Sequence, residues 1–178
     1  FPLVVRLTGG SQWVGIALAN VFALAALLLL RRTLSVKQDP QFADRVTVLM
    51  CYFPYSFILS SFRPESLFLL LSVGAYALLL RRSWLGAGVL GFLATLARPN
   101  GISHAVLFFG AAVLGARQLR DGRILRMLVA VLLPFGGILA FSAYLWRLTG
   151  EPLAWIKAQA AWGRLDHVDP GKLLDELF

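Results

Sequence analysis

Hydrophobic positions in this chain run in unbroken stretches instead of alternating one by one with polar ones. Six stretches stand out, at 14–30, 46–62, 66–80, 83–97, 102–116 and 127–146, and none holds Asp, Glu, Lys or Arg. About 20 apolar residues cross a hydrocarbon core of roughly 30 Å. Only helices or closed barrels satisfy their backbone groups in lipid, and barrel strands would alternate in polarity. The pattern therefore predicts an all-α, polytopic membrane helix bundle of about six transmembrane helices, incomplete at both ends. Residues 1–148 form the expected transmembrane region. Residues 149–178 form the expected non-cytoplasmic interfacial segment and the start of a further region.

Composition agrees with this picture: 58% of the 178 residues are hydrophobic and 15% are charged. A net charge of +8 would suggest nucleic acid in a soluble domain, but no nucleic-acid motif accompanies it. The basic residues instead follow the loops. The first, third and fifth loops hold Arg31, Arg32, Lys37 and Arg45, then Arg81 and Arg82, then Arg117, Arg120, Arg123 and Arg126. The second and fourth hold Arg63 and Arg98 alone. Short loops rich in Lys and Arg stay on the cytoplasmic side, so Arg63 and Arg98 are expected to face outward. Trp13 and Trp146 then fall near the outer interface and Trp84 near the inner one, as an aromatic belt requires. Cys51 is the only cysteine, which excludes an internal disulfide or a thiolate metal cluster.

The two outward loops, "SSFRPES" and "LARPNGIS", carry nearly all the polar groups on their side. Each sets an arginine before a proline, which lacks an N–H and stops a helix. With Gly101, "RPNG" reads as a tight turn. The flanking stretches are short, so both turns are expected to lie recessed below the outer surface, where arginines usually pair or line a functional path. Arg63 and Arg98 either cap short hairpins and reach for headgroups or bind an anion. Glu65 either fixes an arginine or contacts a sugar hydroxyl. Asn100 lies in the same turn, and His104 sits near the outer end of the fifth stretch, bonded to a neighbouring helix or contacting a ligand. Pro54 and Pro134 should kink their helices, and Gly86, Gly88 and Gly91 suit close helix packing. No carboxylate pair argues for a two-acid glycosidase or a metal site, and Asp166, His167 and Asp169 lack a further ligand. Within "GEPLAWIKAQAAWGRLDHVDPG", Leu153–Leu165 is compatible with a helix lying on the membrane.

The stretch "CYFPYSFILSSFRPESLFLLLSVGAYALLLRRSWLGAGVLGFLATLARPNGI" resembles the PIG-V-type mannosyltransferase family. The matching features are the Phe-Pro of the second stretch, "ESLF" at 65–68 and a helix followed by "RPNG"; "FPL" and "GEPLAWIKAQAAWGR" are similar to family segments too. These are C-type membrane glycosyltransferases (GT-C), including the second mannosyltransferase of GPI-anchor assembly and bacterial relatives. The resemblance implies transfer of mannose from a polyprenyl- or dolichyl-phosphate donor to a glycan, lipid or protein acceptor on the non-cytoplasmic face. It implies no cofactor, and its partners besides donor and acceptor are membrane lipids, not nucleic acid. Arg98 is then the leading phosphate contact and Glu65 an organiser, with Arg63, Asn100 and His104 as further substrate-binding candidates. Arg63 stands where relatives are expected to carry an aromatic residue. The family's base, an Asp in the first outer loop, is expected upstream of Phe1, so this chain reads as an inactive internal fragment. High Ala, Leu and Arg suit a bacterial plasma membrane; an endoplasmic-reticulum membrane obeys the same charge rule. A transporter or flippase segment is the rival reading, but it expects polar residues through the bilayer depth or an inverted repeat, and neither is visible. A membrane scaffold would use the tail tryptophans and leave the arginines idle.

Overall fold

The computed structural model describes residues 2–36, 38–115 and 124–161. Among these residues every regular element is helical. In chain order they are α1 (Pro2–Leu7), α2 (Gln12–Ser35), α3 (Pro40–Tyr52), α4 (Phe57–Ser60), α5 (Glu65–Leu80), α6 (Trp84–Ala97), a 3-10 turn (Pro99–Ile102), α7 (Ser103–Gly115), α8 (Ile124–Thr149) and α9 (Ala154–Ala161). Helices α2 and α8 are long and apolar enough to cross a membrane, while α5, α6 and the Pro99–Gly115 segment are shorter apolar helices. At 1.5 Å per residue α5 reaches about 24 Å and α6 about 21 Å. Lys37, Arg117, Arg120 and Arg123, the last residue of the 102–116 stretch, and Trp162, Asp166, His167 and Asp169 lie outside the described residues.

The expected single helix over 46–62 is corrected: α3 ends at Tyr52 and a new short helix starts at Phe57. Phe53 is extended, at ψ 137°. The ring of Pro54 crowds the residue before it and removes an N–H, so the chain breaks here and does not merely kink. Pro134 behaves differently, because α8 continues through it and buries it.

The chain divides into two compact units, Phe1–Ile138 and Leu139–Phe178. In the first, close contacts give the helix directions. A Cβ on Gly15 would strike the Phe62 ring, and one on Gly74 would meet Leu29 and Leu90. Helix α2 therefore runs parallel to the chain from Phe62 through α5. Gly86 lies against Leu78, so α6 returns antiparallel to α5. Gly88 faces the Ala130 backbone, Gly91 faces Phe108 and Pro134, and Gly137 faces Thr95, which sets α8 parallel to α6. These directions put Arg81, Arg82 and Arg126 at one end of the unit and Arg63 and Arg98 at the other. Small residues at the contacts let the backbones approach, the usual way apolar helices pack without a hydrophobic drive between them.

The core gathers Ala75, Leu79, Trp84, Ala87, Phe108, Met127 and Ala130. Trp84 is thus buried and is not a belt residue facing lipid, whereas Trp13 and Trp146 are exposed. A groove of about 490 Å³ opens beside this core, lined in part by Leu79, Trp84, Leu107 and Met127. The α5–α6 turn is closed by Arg82 N–H donating to Leu79 O at 2.9 Å and Ser83 N–H to Leu78 O at 2.9 Å. This is the paired bonding of a Schellman cap, and Arg82 takes the left-handed position with φ 57°. In the second unit, Lys157 pairs with Glu151 at 2.6 Å, both exposed.

Candidate functional site

The site grows out of two helix ends. Helix α6 stops at Ala97 because Pro99 follows: Arg98 is driven to an extended conformation, φ −151° and ψ 134°. Its backbone is nevertheless held at both groups. Arg98 N–H donates to Ala94 O at 2.9 Å, and Arg98 O accepts from Gly101 N–H at 2.8 Å. The turn is tight, as expected, but the reason for its glycine is corrected. Gly101 is absent from the positive-φ glycines of the described chain. A Cβ there would lie 2.4 Å from Thr95 N and 2.6 Å from Ala94 C. Gly101 is needed for close backbone approach, not for an unusual dihedral angle.

On the facing side, Pro64 precedes α5 and Glu65 opens it. An acidic residue in the first turn lies at the positive end of the helix macrodipole. The α5–α6 hairpin brings the two ends together: Arg98 Nη1 lies 3.2 Å from Glu65 Oε1. The arginine side chain is 38% exposed and the glutamate 18%. Glu65 Oε2 is buried and receives no hydrogen bond, and the hydroxyl of Ser66, the next residue, is likewise buried and unbonded. The Arg98 guanidinium carbon sits 6.0 Å from the Phe68 ring centre, at the outer edge of cation–π range.

His104 completes the arrangement from behind. It is buried, its ring meets Phe68 edge-on at 6.0 Å and tilts against Phe108 at 6.0 Å. Its Nδ1 lies 2.8 Å from Gly101 O. Nδ1 therefore carries the proton and donates to that carbonyl. The expected partner on a neighbouring helix is corrected to one in its own turn. Among the sequence-predicted residues, Arg98, Glu65 and His104 come together. Arg63 and Asn100 are exposed and their side chains form no ion pair or hydrogen bond among the described residues. Phe68 and Ser66 were missed; Phe68 stands three positions after Glu65, a helical spacing that puts both on one face.

Beside Glu65 opens a cleft of about 240 Å³, lined also by Met50, Phe53, Tyr55, Ser56, Ile58 and Leu59. The break at Pro54 shapes it. Ser56 Oγ donates to Met50 O at 2.5 Å and Ser56 N–H to Phe53 O at 2.8 Å, which folds the segment back on the end of α3. Asn20 ties this segment to α2 by donating to Ser60 O at 3.5 Å. The site thus brings together a partly exposed guanidinium, a carboxylate whose second oxygen is buried and unbonded, and an apolar cleft with Phe53 and Tyr55 on its wall. Among the described residues no three His, Cys, Asp or Glu gather to hold a metal ion.

A family model described as "Mannosyltransferase (PIG-V)" matches residues 4–145 of the chain. No curated protein sequence and no solved structure matches it.

Proposed function

Because the chain belongs to the PIG-V mannosyltransferase family, we propose that it is part of a membrane glycosyltransferase of the GT-C kind that takes mannose, or another hexose, from a polyprenyl- or dolichyl-phosphate donor on the non-cytoplasmic face. The enzyme crosses the membrane about six times in this reading, in a bacterial plasma membrane or the endoplasmic reticulum. The bias of basic residues toward the Arg81–Arg82 end supports the orientation.

The observation that carries the reading is the 3.2 Å pair between Arg98 and Glu65, which joins the turns at the other end. In the transfer, an acceptor hydroxyl oxygen attacks the anomeric carbon and gives its proton to a general base. The bond from that carbon to the phosphate oxygen breaks, and the lipid phosphate leaves with the bonding electrons. Charge builds on the leaving oxygen, and a guanidinium fixed in advance stabilises it without reorganising. Arg98 is suited to this role. Ala94 and Gly101 hold its backbone, His104 holds Gly101 in turn, and Glu65 and Phe68 steady its side chain while leaving it more than a third exposed. Glu65 organises Arg98; Arg63 and Asn100 lie exposed nearby in sequence to meet headgroup or sugar.

The test is hexose transfer by the full-length enzyme from a lipid-phosphate hexose donor. Arg98→Ala is expected to lower the rate about 10²–10³-fold, the usual loss for one preorganised donor to a developing charge. Arg98→Lys should recover only part of it, since an ammonium lacks the planar fork. A folded Arg98→Ala enzyme with the normal rate removes Arg98 from the mechanism.

A further inference from the structure

We infer that the groove beside Trp84 holds one acyl chain of an anionic phospholipid, with the headgroup phosphate at Arg82. The inference needs the membrane setting but not the glycosyl-transfer reading, since the groove lies toward the opposite end of the unit from Arg98.

The groove has two apolar walls and a basic mouth. Tyr76, Leu79 and Leu80 on α5 line one side, and Leu107, Ala111 and Leu114 on α7 line the other. Both sets recur at spacings of three and four residues, which puts each on one helix face. The α7 wall runs from Val106 to Gly115, about 14 Å at 1.5 Å per residue. That is close to half of the roughly 30 Å hydrocarbon core, the depth of one leaflet. The volume of about 490 Å³ lies within the roughly 300–1,000 Å³ of small-ligand pockets. An empty groove of this kind would forfeit the dispersion contacts of its lining, and a lipid tail restores them.

Arg82 lines the same groove and marks the end that the headgroup takes. Arg81 and Arg126 are exposed at that end with it. Basic pockets between membrane helices on the cytoplasmic side bind anionic headgroups, and the cytoplasmic leaflet is the one that carries them. In the proposed orientation this end faces the cytoplasm. A guanidinium has five N–H donors in a planar fork that matches phosphate, so it can hold a phosphate oxygen alongside a partner within the chain. The backbone points the same way. Among the described residues Arg82 is the only non-glycine residue with a positive φ, at 57°. Glycine would fit this helix cap with no Cβ to strain it. Residues kept in such sparsely populated conformations cluster where their side chains are used, ligand clamps among them.

Thermal melting of the full-length protein in uncharged detergent tests this, with dioleoyl phosphatidylglycerol and dioleoyl phosphatidylcholine as probes of identical chains. A ligand that binds only the folded state raises the melting temperature by mass action. Wild type should bind the phosphatidylglycerol about tenfold more tightly, the scale of one hydrogen bond between charged groups. Arg82→Gly removes the guanidinium while suiting the backbone, so it should fold and lose that preference. Arg81→Gln removes the same charge outside the groove lining and should keep most of it. Gly110 lies on the groove wall, and a Cβ there meets nothing within 4 Å. Gly110→Phe should therefore fold, and by filling the groove it should weaken both lipids. Equal affinity of wild type for the two lipids overturns the inference. So does an equal loss in Arg81→Gln and Arg82→Gly, which would mean diffuse attraction to a basic surface. Binding that stays unchanged in folded Gly110→Phe overturns it as well.

Discussion

Among the described residues two arginine–carboxylate pairs join neighbouring helices, and they share little beyond their chemistry. Arg31 at the end of α2 meets Asp44 in α3, with both side chains half exposed, 55% and 50%. Arg98 meets Glu65 with 38% and 18% exposed, beside a cleft and against Phe68. In the first pair the carboxylate has water on hand for whatever the arginine leaves unbonded. In the second, one carboxylate oxygen is cut off from water and still lacks a donor. An exposed pair spends side-chain entropy for a screened attraction and contributes little. The half-buried pair is less screened, and it leaves the Arg98 guanidinium partly open to whatever enters the site. The same two residue types thus make a clasp at one end of the unit and a site at the other.

Substitutions can break this contrast, and the largest effect is expected in catalysis. Arg98→Ala should cost about 10²–10³-fold in transfer, whereas Arg31→Ala should leave transfer by the full-length enzyme unchanged. Equal losses would show that both pairs act only through the fold. Next in size is Gly101→Ala. Its Cβ would fall 2.4 Å from a backbone nitrogen that cannot yield as a flexible side chain would. Overpacking of this kind costs about 1–3 kcal/mol, so the melting temperature in detergent should fall, and the Arg98 turn should be disturbed with it.

The smallest effect belongs to the exposed pair. The hydrogen bond from Arg31 holds the Asp44 carboxyl below its ordinary value of 3.8, and the charge of Arg31 adds to it. A depressed carboxyl stabilises the fold above its unfolded pKa and ceases to do so as pH falls through the folded value. Asp44→Asn should therefore melt slightly below wild type at neutral pH and low salt. The gap should close as the pH falls through the lowered folded value of Asp44, and also in high salt, where exposed charges are screened. A gap that persists at both would mean that Asp44 acts through packing.

Much of the site was legible before the fold. Proline after arginine marked both turns, since the ring removes an N–H and disfavours a helical conformation for the residue before it. The convergence of Glu65 and Arg98 was legible in part. A tight turn centred on Arg82 sets helices of nearly equal length side by side, and the Gly86–Leu78 and Gly74–Leu90 contacts extend the same register to Glu65 and Arg98. The cleft was not legible. It exists because the 46–62 stretch breaks at Pro54, and hydropathy averaged over the stretch cannot distinguish a continuous helix from a broken one. His104 was misassigned for a related reason: its partner is a carbonyl three residues back, available only once the 3-10 turn has formed.

The sequence by itself determined the helical, membrane-compatible character of this protein, the turns at Arg63 and Arg98 and the concentration of basic residues in alternate turns. Those properties follow from backbone sterics and from the hydration of each residue, which act locally. Only the tertiary structure decided that Glu65 would spend one oxygen on Arg98 and keep the other, that Gly101 would be pressed against the backbone of Thr95, and that Trp84 would turn into the core instead of toward lipid. Each of these depends on how closely and in what register the helices approach. Lipid tails are as apolar as the helices themselves, so hydropathy cannot set that register; the shapes of small residues along the contacts do.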